Sequence, residues 1–193
     1  MPTTLDQPSL SHAAAEVDAV GKALGSGFQT TILTHPKRSD VLAQMKTAKI
    51  AHFACHGIAD TKDPSTSKLL LRDWKTSPLD VRRIMNSSPA CLELVYLSAC
   101  ETATTRASNL QEECIHLSSA FQLVGVPYVV ATLWAIEDGV AVHIAKGFYE
   151  KIFAQSGQLE IAQSARVLHN VVLQERNKGV EALYWAPFIH SGA

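Results

Sequence analysis

The sequence has no excess of charge of either sign, since 17 lysines and arginines face 18 aspartates and glutamates. The net charge of -1 gives no electrostatic basis for binding nucleic acid. The chain also has no internal repeat and no linker-like stretch after about residue 26. Its 193 residues, 47% of them hydrophobic, are enough to bury a substantial core. We predict a flexible lead-in over residues 1–12 and one domain over residues 13–193.

Paired cysteines are also absent. Cys55, Cys91, Cys100 and Cys114 include no CxxC pair, and the sequence opens on no apolar leader stretch. This pattern is typical of a reduced, cytoplasmic setting and gives no basis for a disulfide framework or a zinc site. We therefore expect free thiols and no metal or other cofactor.

No charged residue occurs between Glu113 and Glu137, a stretch long enough in principle to cross a membrane. The stretch is interrupted by polar residues and changes character at Gly125 and Pro127. We interpret it as a buried helix, a turn and a buried strand, and we expect no membrane association.

Short apolar strand patterns alternate with helical patterns along the chain. Strands are predicted at residues 30–33, 50–57, 94–100 and 127–134. A helix is predicted over residues 13–24 with Gly25 as its stop, and Ile144, Phe148 and Ile152 recur at helical spacing further on. Such alternation predicts an α/β fold with a mostly parallel central sheet flanked by helices on both faces.

Two of these strands end on residues that can do chemistry. One strand ends on His56 and the following Gly57, and the other ends on Cys100. Ligands bind at the carboxyl ends of strands in such sheets, and a thiol with a nearby imidazole can form a nucleophile and its base. The main-chain N–H groups of Gly57 and Cys100 are candidates for an oxyanion hole. The alternative is that Cys100 is an ordinary buried cysteine.

Residues 52–57 (HFACHG) and 97–102 (LSACET) resemble the two signature motifs of the CHAT domain, a family related to caspases and separases. The resemblance covers roughly residues 14–192 and is nearest to fungal CHAT domains, which are usually the C-terminal portion of a larger protein. It also includes the segments 63–65, 69–71, 116–123, 132–134 and 185–190. We accordingly expect an upstream portion that the given sequence lacks.

The resemblance implies a caspase-like fold in which His56 is the catalytic histidine and Cys100 the nucleophile. His56 precedes Cys100 by 44 residues, compared with about 50 in caspases. The caspase signature around the cysteine is not reproduced, so no preference for aspartate is implied. The family also implies protein or peptide substrates, and TPR-like regulatory repeats or signalling domains as partners within the same full-length protein.

Three further residues are candidates for a substrate pocket. Asp138 matches an acidic position that binds a basic substrate residue in separase-like relatives, but it could equally be a helix N-cap. His52 lies four residues before His56, on the same side if the strand continues, where it either lines the site or is satisfied in the core. Glu112 either faces the site or simply favours the positive end of its helix.

These observations predict that the protein is a cysteine endopeptidase of the caspase-fold clan, that is, a thiol protease with a Cys-His dyad. We expect its activity to be regulated by other modules. The alternative is a catalytically silent caspase-fold module that binds peptides or protein partners. A small-molecule hydrolase that uses the same cysteine is a third and more remote hypothesis.

Overall fold

The computed structural model describes residues 1–58, 60, 62–98, 111–134, 136, 138–153 and 159–192. Of residues 26, 111–116 and 138 it describes only the backbone. In chain order the helices and strands are α1 (Ala13–Leu24), α2 (Arg38–Met45), β1 (Ile50–Phe53), β2 (Gly57–Ile58), β3 (Lys68–Leu69), β4 (Leu79–Asp80), α3 (Val81–Met85), β5 (Leu94–Leu97), α4 (Gln111–Leu123), β6 (Tyr128–Thr132), α5 (Asp138–Ile152), α6 (Ser164–Asn177), α7 (Ala182–Trp185) and β7 (Phe188–Gly192).

The central sheet has the strand order β1-β5-β6-β7. The β1–β5 and β5–β6 pairs are parallel, with His52 opposite Tyr96 and Tyr96 opposite Val130. The last strand, β7, runs antiparallel to β6 at the edge. Strands β2, β3 and β4 form a separate small antiparallel sheet. The predicted mostly parallel central sheet is thus confirmed.

Alternate residues of the central strands pack into two separate hydrophobic clusters, one on each face of the sheet. Val95 and Leu97 belong to a cluster with α2, α3 and α4. Leu94 and Tyr96 belong to a second cluster with α1, α5 and α6. Successive side chains of a strand point to opposite faces, so a strand covered on both sides is apolar throughout. Helices therefore flank both faces, as predicted.

Local sequence signals set several element ends. The helix α1 ends at Gly25, whose φ of 60° lies in the left-handed region that glycine tolerates. The helix α3 begins after Asp80, whose carboxylate accepts a hydrogen bond from the backbone N–H of Arg83 and pairs with the Arg83 guanidinium. The strand predicted at residues 30–33 does not form. These residues are exposed, with Ile32 58% accessible, and they lie in none of the described sheets.

Residues 1–12, which we call the N-terminal strap, lie against the domain. Met1 is buried in the core, and its ammonium group donates to the carbonyl of Ala54. The Leu5 carbonyl accepts a hydrogen bond of 3.3 Å from the Trp74 indole. The predicted flexibility of the strap concerns motion, which these contacts do not test, and it stays a prediction. None of the described helices is both long and apolar enough to cross a membrane.

Candidate active site

The carboxyl ends of β1, β5 and β6 meet at one edge of the sheet, because the three strands are parallel. A small cavity of ≈ 40 Å³ lies at this edge, large enough for a few water molecules. Its walls combine the strand ends with residues of the strap, α1 and α5, namely Leu10, Ala13, Glu16, Ala54, Cys55, Ser98, Thr132, Ile136 and Ala141. A concave site at the carboxyl edge is where ligands bind in sheets of this kind.

His56 lies in the turn between β1 and β2 and is fully buried. Its Nε2 is 2.8 Å from the main-chain carbonyl oxygen of Pro8 in the strap. A carbonyl only accepts hydrogen bonds, so in this contact Nε2 carries the proton and donates. In the neutral ring Nδ1 is then the nitrogen with a lone pair that can accept a proton.

Burial sets the charge state of His56. Desolvation lowers its pKa below the ordinary value, the hydrogen bond to Pro8 opposes this, and the nearby ammonium group of Met1 lowers the pKa further. The neutral imidazole is the form that can take up a proton from a thiol. The fold therefore favours, near neutral pH, the state that a general base requires.

His52 has a different environment, although it lies only four residues earlier. Its Nε2 is 3.1 Å from Oε1 of Glu16, its Nδ1 is 3.2 Å from the Tyr149 hydroxyl, and its ring stacks on Tyr96 at 4.8 Å between centroids. The inference that His52 and His56 share one side was wrong in its premise, because β1 ends at Phe53 and strand alternation stops there. Both ring nitrogens have partners in the domain, as in a histidine satisfied in the core. Its substrate-pocket role stays a prediction.

Glu16 is the functional candidate that the sequence analysis missed. It is an acidic residue only 4% exposed, with Oε1 facing His52 and Oε2 accepting a 2.9 Å hydrogen bond from the Ser98 hydroxyl. The sequence contains one signal for this residue, its spacing on α1. Ala13, Glu16 and Val20 share the buried face of the helix at helical spacing. A carboxylate on an apolar helix face requires buried partners.

The end of β5 is held beside the end of β1 by a hydrogen bond of 2.9 Å from the Ser98 N–H to the Phe53 carbonyl. Cys100 follows Ser98 by two residues and lies outside the described residues. Gly57 is buried in β2 opposite Leu69. The predicted dyad and oxyanion pair therefore have one described member each, His56 and Gly57, and both pairings stay predictions.

The two remaining pocket candidates both lie at helix starts. Asp138 is the first residue of α5, and Glu112 is the second residue of α4. Their side chains lie outside the described part of the structure. These positions suit a negative charge near a helix N-terminus, so the alternative of a purely helix-stabilising role stays open for both residues.

The neighbouring thiol of Cys55 is not a competing nucleophile. It is buried, and desolvation raises its pKa to about 11, so it stays protonated and unreactive near neutral pH. Cys55 also lies between His52 and His56 in sequence, but among the side chains that the structure describes no three His, Cys, Asp or Glu residues come together as a metal-binding group.

Comparison with protein families places this fold in a known class. The family model described as "CHAT domain" matches residues 1–193, and the chain belongs to the CHAT domain family. This family has a caspase-like fold and is related to cysteine peptidases, so the expected family and fold class are confirmed. No curated protein matches the chain. The fungal type and the C-terminal placement in a larger protein stay predictions.

Proposed function

We propose that the chain is a cysteine endopeptidase in which Cys100 is the nucleophile and His56 the base. The observation that carries the proposal is the buried His56, held by Pro8 in the tautomer whose Nδ1 can accept a proton. His56 lies beyond the end of β1, and the adjacent strand β5 leads to Cys100 two residues after the described Ser98. This arrangement follows the general logic of catalytic triads, with His56 as the base, Pro8 as the group that orients it and Cys100 as the nucleophile.

In the proposed reaction the Cys100 sulfur attacks the scissile carbonyl carbon and its proton passes to Nδ1 of His56. The tetrahedral intermediate holds its negative oxygen near the Gly57 and Cys100 N–H groups. The C–N bond then breaks, and His56 returns the proton to the leaving amine. Water, deprotonated by His56, attacks the acyl-enzyme, which releases the carboxylic acid product and restores the thiol. The proposal requires no cofactor.

The strap has a defined part in this mechanism. Its Pro8 carbonyl orients the imidazole, much as a third group orients the base in other nucleophilic enzymes. A chain segment that supplies the orienting group can also be a point of control, since its displacement would free the ring to reorient. This supports the proposed regulation by upstream or partner modules such as TPR-like repeats. We also propose that the protein is fungal and cytoplasmic and is longer than the given sequence.

The substrate class proposed is a protein or peptide with a basic residue before the cut. Asp138, at the start of α5, would supply the carboxylate for an Arg or Lys side chain, and Glu112 and His52 are further pocket candidates. The support for this finer point is the match of Asp138 to an acidic position of separase-like relatives and its place at the start of α5.

The test is labelling by an arginyl acyloxymethyl ketone peptide, in which the thiolate displaces the acyloxy group as a carboxylate and forms a thioether. We expect Cys100→Ala and His56→Ala to lower labelling by about 1,000-fold or more. Cys55→Ala, at a buried and protonated thiol, is the matched control and should label like the native chain. Loss in Asp138→Ala would support the basic-residue pocket.

If the native chain takes up no probe, even with an upstream region restored, the endopeptidase proposal fails. The chain would then be better described as a caspase-fold module that binds peptides without cutting them. Retained labelling in Cys100→Ala would contradict the assignment of the nucleophile.

A further inference from the structure

The ends of the two strands that lead to the proposed dyad are joined by one buried carboxylate. Glu16, from the first turns of α1, contacts His52 on β1 through Oε1 and Ser98 just beyond β5 through Oε2. His52 is four residues before His56, and Ser98 is two residues before Cys100. A single side chain from a third element thus spans both strand ends.

The donors and acceptors of this network are mutually consistent. An ionised carboxylate only accepts hydrogen bonds, so both the Ser98 hydroxyl and His52 Nε2–H donate to Glu16. His52 Nδ1 then accepts from the Tyr149 hydroxyl, which keeps its proton because burial and the nearby Glu16 raise the pKa of Tyr149. In this arrangement each of these donors and acceptors is satisfied, which holds the side chains in place relative to one another.

We propose that Glu16 is a positioning residue that sets the place of the Cys100-bearing segment relative to His56. The inference rests on the proposed endopeptidase function and adds a residue that the reaction scheme does not use. The Glu16–Ser98 hydrogen bond, which we call the Ser98 arm, is the contact that positions the nucleophile, because Cys100 follows Ser98 by two residues. The contact between Glu16 and His52 holds the other oxygen of the carboxylate in place.

Small displacements at this point have large consequences for a nucleophile. A shift of about 1 Å in a reacting group can lower a rate by about 100-fold. A hydrogen bond to a buried carboxylate is stronger than one between neutral groups, so it is suited to holding the segment at such precision. Glu16→Ala removes both acceptor oxygens, so neither the Ser98 hydroxyl nor His52 keeps its hydrogen bond to this position.

The experiment measures inactivation of the whole chain by the same arginyl acyloxymethyl ketone peptide, separating the inactivation rate constant from probe affinity. We expect Glu16→Ala and Ser98→Ala each to lower the rate constant by about 10–100-fold, with probe affinity within about twofold of native. The double variant should lose no more than the worse single one, because both changes break the same contact. Tyr149→Phe removes a hydrogen bond of the same network but leaves the Ser98 arm in place, and should stay within about threefold of native.

A second readout follows iodoacetamide alkylation of Cys100 by peptide mass spectrometry, with the exposed Cys91 as an internal reference. We expect the Cys100 rate to change by about threefold or more in Glu16→Ala and Ser98→Ala while the Cys91 rate does not. If the native chain ignores the peptide probe even with an upstream region restored, the endopeptidase proposal fails and the alkylation rates alone decide the role of Glu16. Three results would each overturn the proposed role of Glu16. They are a double variant whose loss of rate is the product of the two single losses, a Tyr149→Phe rate as low as that of Ser98→Ala, and a Cys100 alkylation rate that does not change.

Discussion

Two histidines at the end of β1 are held in opposite ways. His52, within the strand, is fixed by side chains from two helices, the Glu16 carboxylate on α1 and the Tyr149 hydroxyl on α5. His56, beyond the strand, has its Nε2 bound to a main-chain carbonyl of the N-terminal strap. Both rings are largely or fully removed from solvent.

The difference shows that burial alone does not separate a structural histidine from a catalytic candidate. At His52 both nitrogens are used in contacts that tie elements together, so the ring is part of the framework. At His56 the Nε2–H donates to a carbonyl of the strap, and Nδ1 is the nitrogen of the proposed base. The two sites thus differ in the group that holds Nε2, a helix carboxylate at His52 and a main-chain carbonyl at His56.

The largest effect on stability should come from His52. His52→Leu removes one of the two hydrogen-bond partners of the buried Glu16 carboxylate and the partner of the Tyr149 hydroxyl, and should lower the free energy of unfolding by about 3 kcal/mol. His56→Leu should cost less than half as much, because burial already favours the uncharged ring. Denaturant unfolding of both variants measures the difference. Equal losses would contradict the division into a framework and a catalytic histidine.

A smaller effect is expected from the strap. Asp6 pairs with Lys75 and helps to hold the segment that carries Pro8. Asp6→Lys should lower the rate of peptide-probe labelling by about threefold, since an exposed ion pair contributes at most about 1 kcal/mol. The charge-swapped double variant, Asp6→Lys with Lys75→Asp, should recover the native rate. Faster labelling in Asp6→Lys would mean that the strap hinders His56 instead of orienting it.

The smallest effect is the dependence of stability on pH. The folded-state pKa of His56 is lowered, as is that of the half-buried His190, so the unfolded chain binds protons first as the pH falls below 6.5. The free energy of unfolding should therefore be lower at about pH 5.5 than at about pH 7.5, and the drop should be smaller in His56→Leu. An identical drop in His56→Leu and the native chain would show that His56 does not contribute.

Strong local patterns predicted most of the fold. The helix α1 lies at Ala13–Leu24 with Gly25 as its stop, and the apolar strands at the two signature motifs are parallel neighbours in the predicted mostly parallel sheet. Residues 30–33 show where such reasoning fails. Their apolar and β-branched composition favours a strand, but a strand requires a hydrogen-bonding neighbour, and the described sheets offer none there.

The sequence by itself determined the family, the alternation of strands and helices, and the two strand ends on which the chemistry is proposed. These depend on short-range patterns and motifs that are readable along the chain. Only the tertiary structure decided which groups meet at those ends. Pro8 reaches His56 across 48 residues and Glu16 reaches Ser98 across 82, and both contacts come from the packing of the strap and α1 against the sheet. Such partners leave no local pattern, because the contact is set by how whole elements pack and not by the spacing of neighbouring residues.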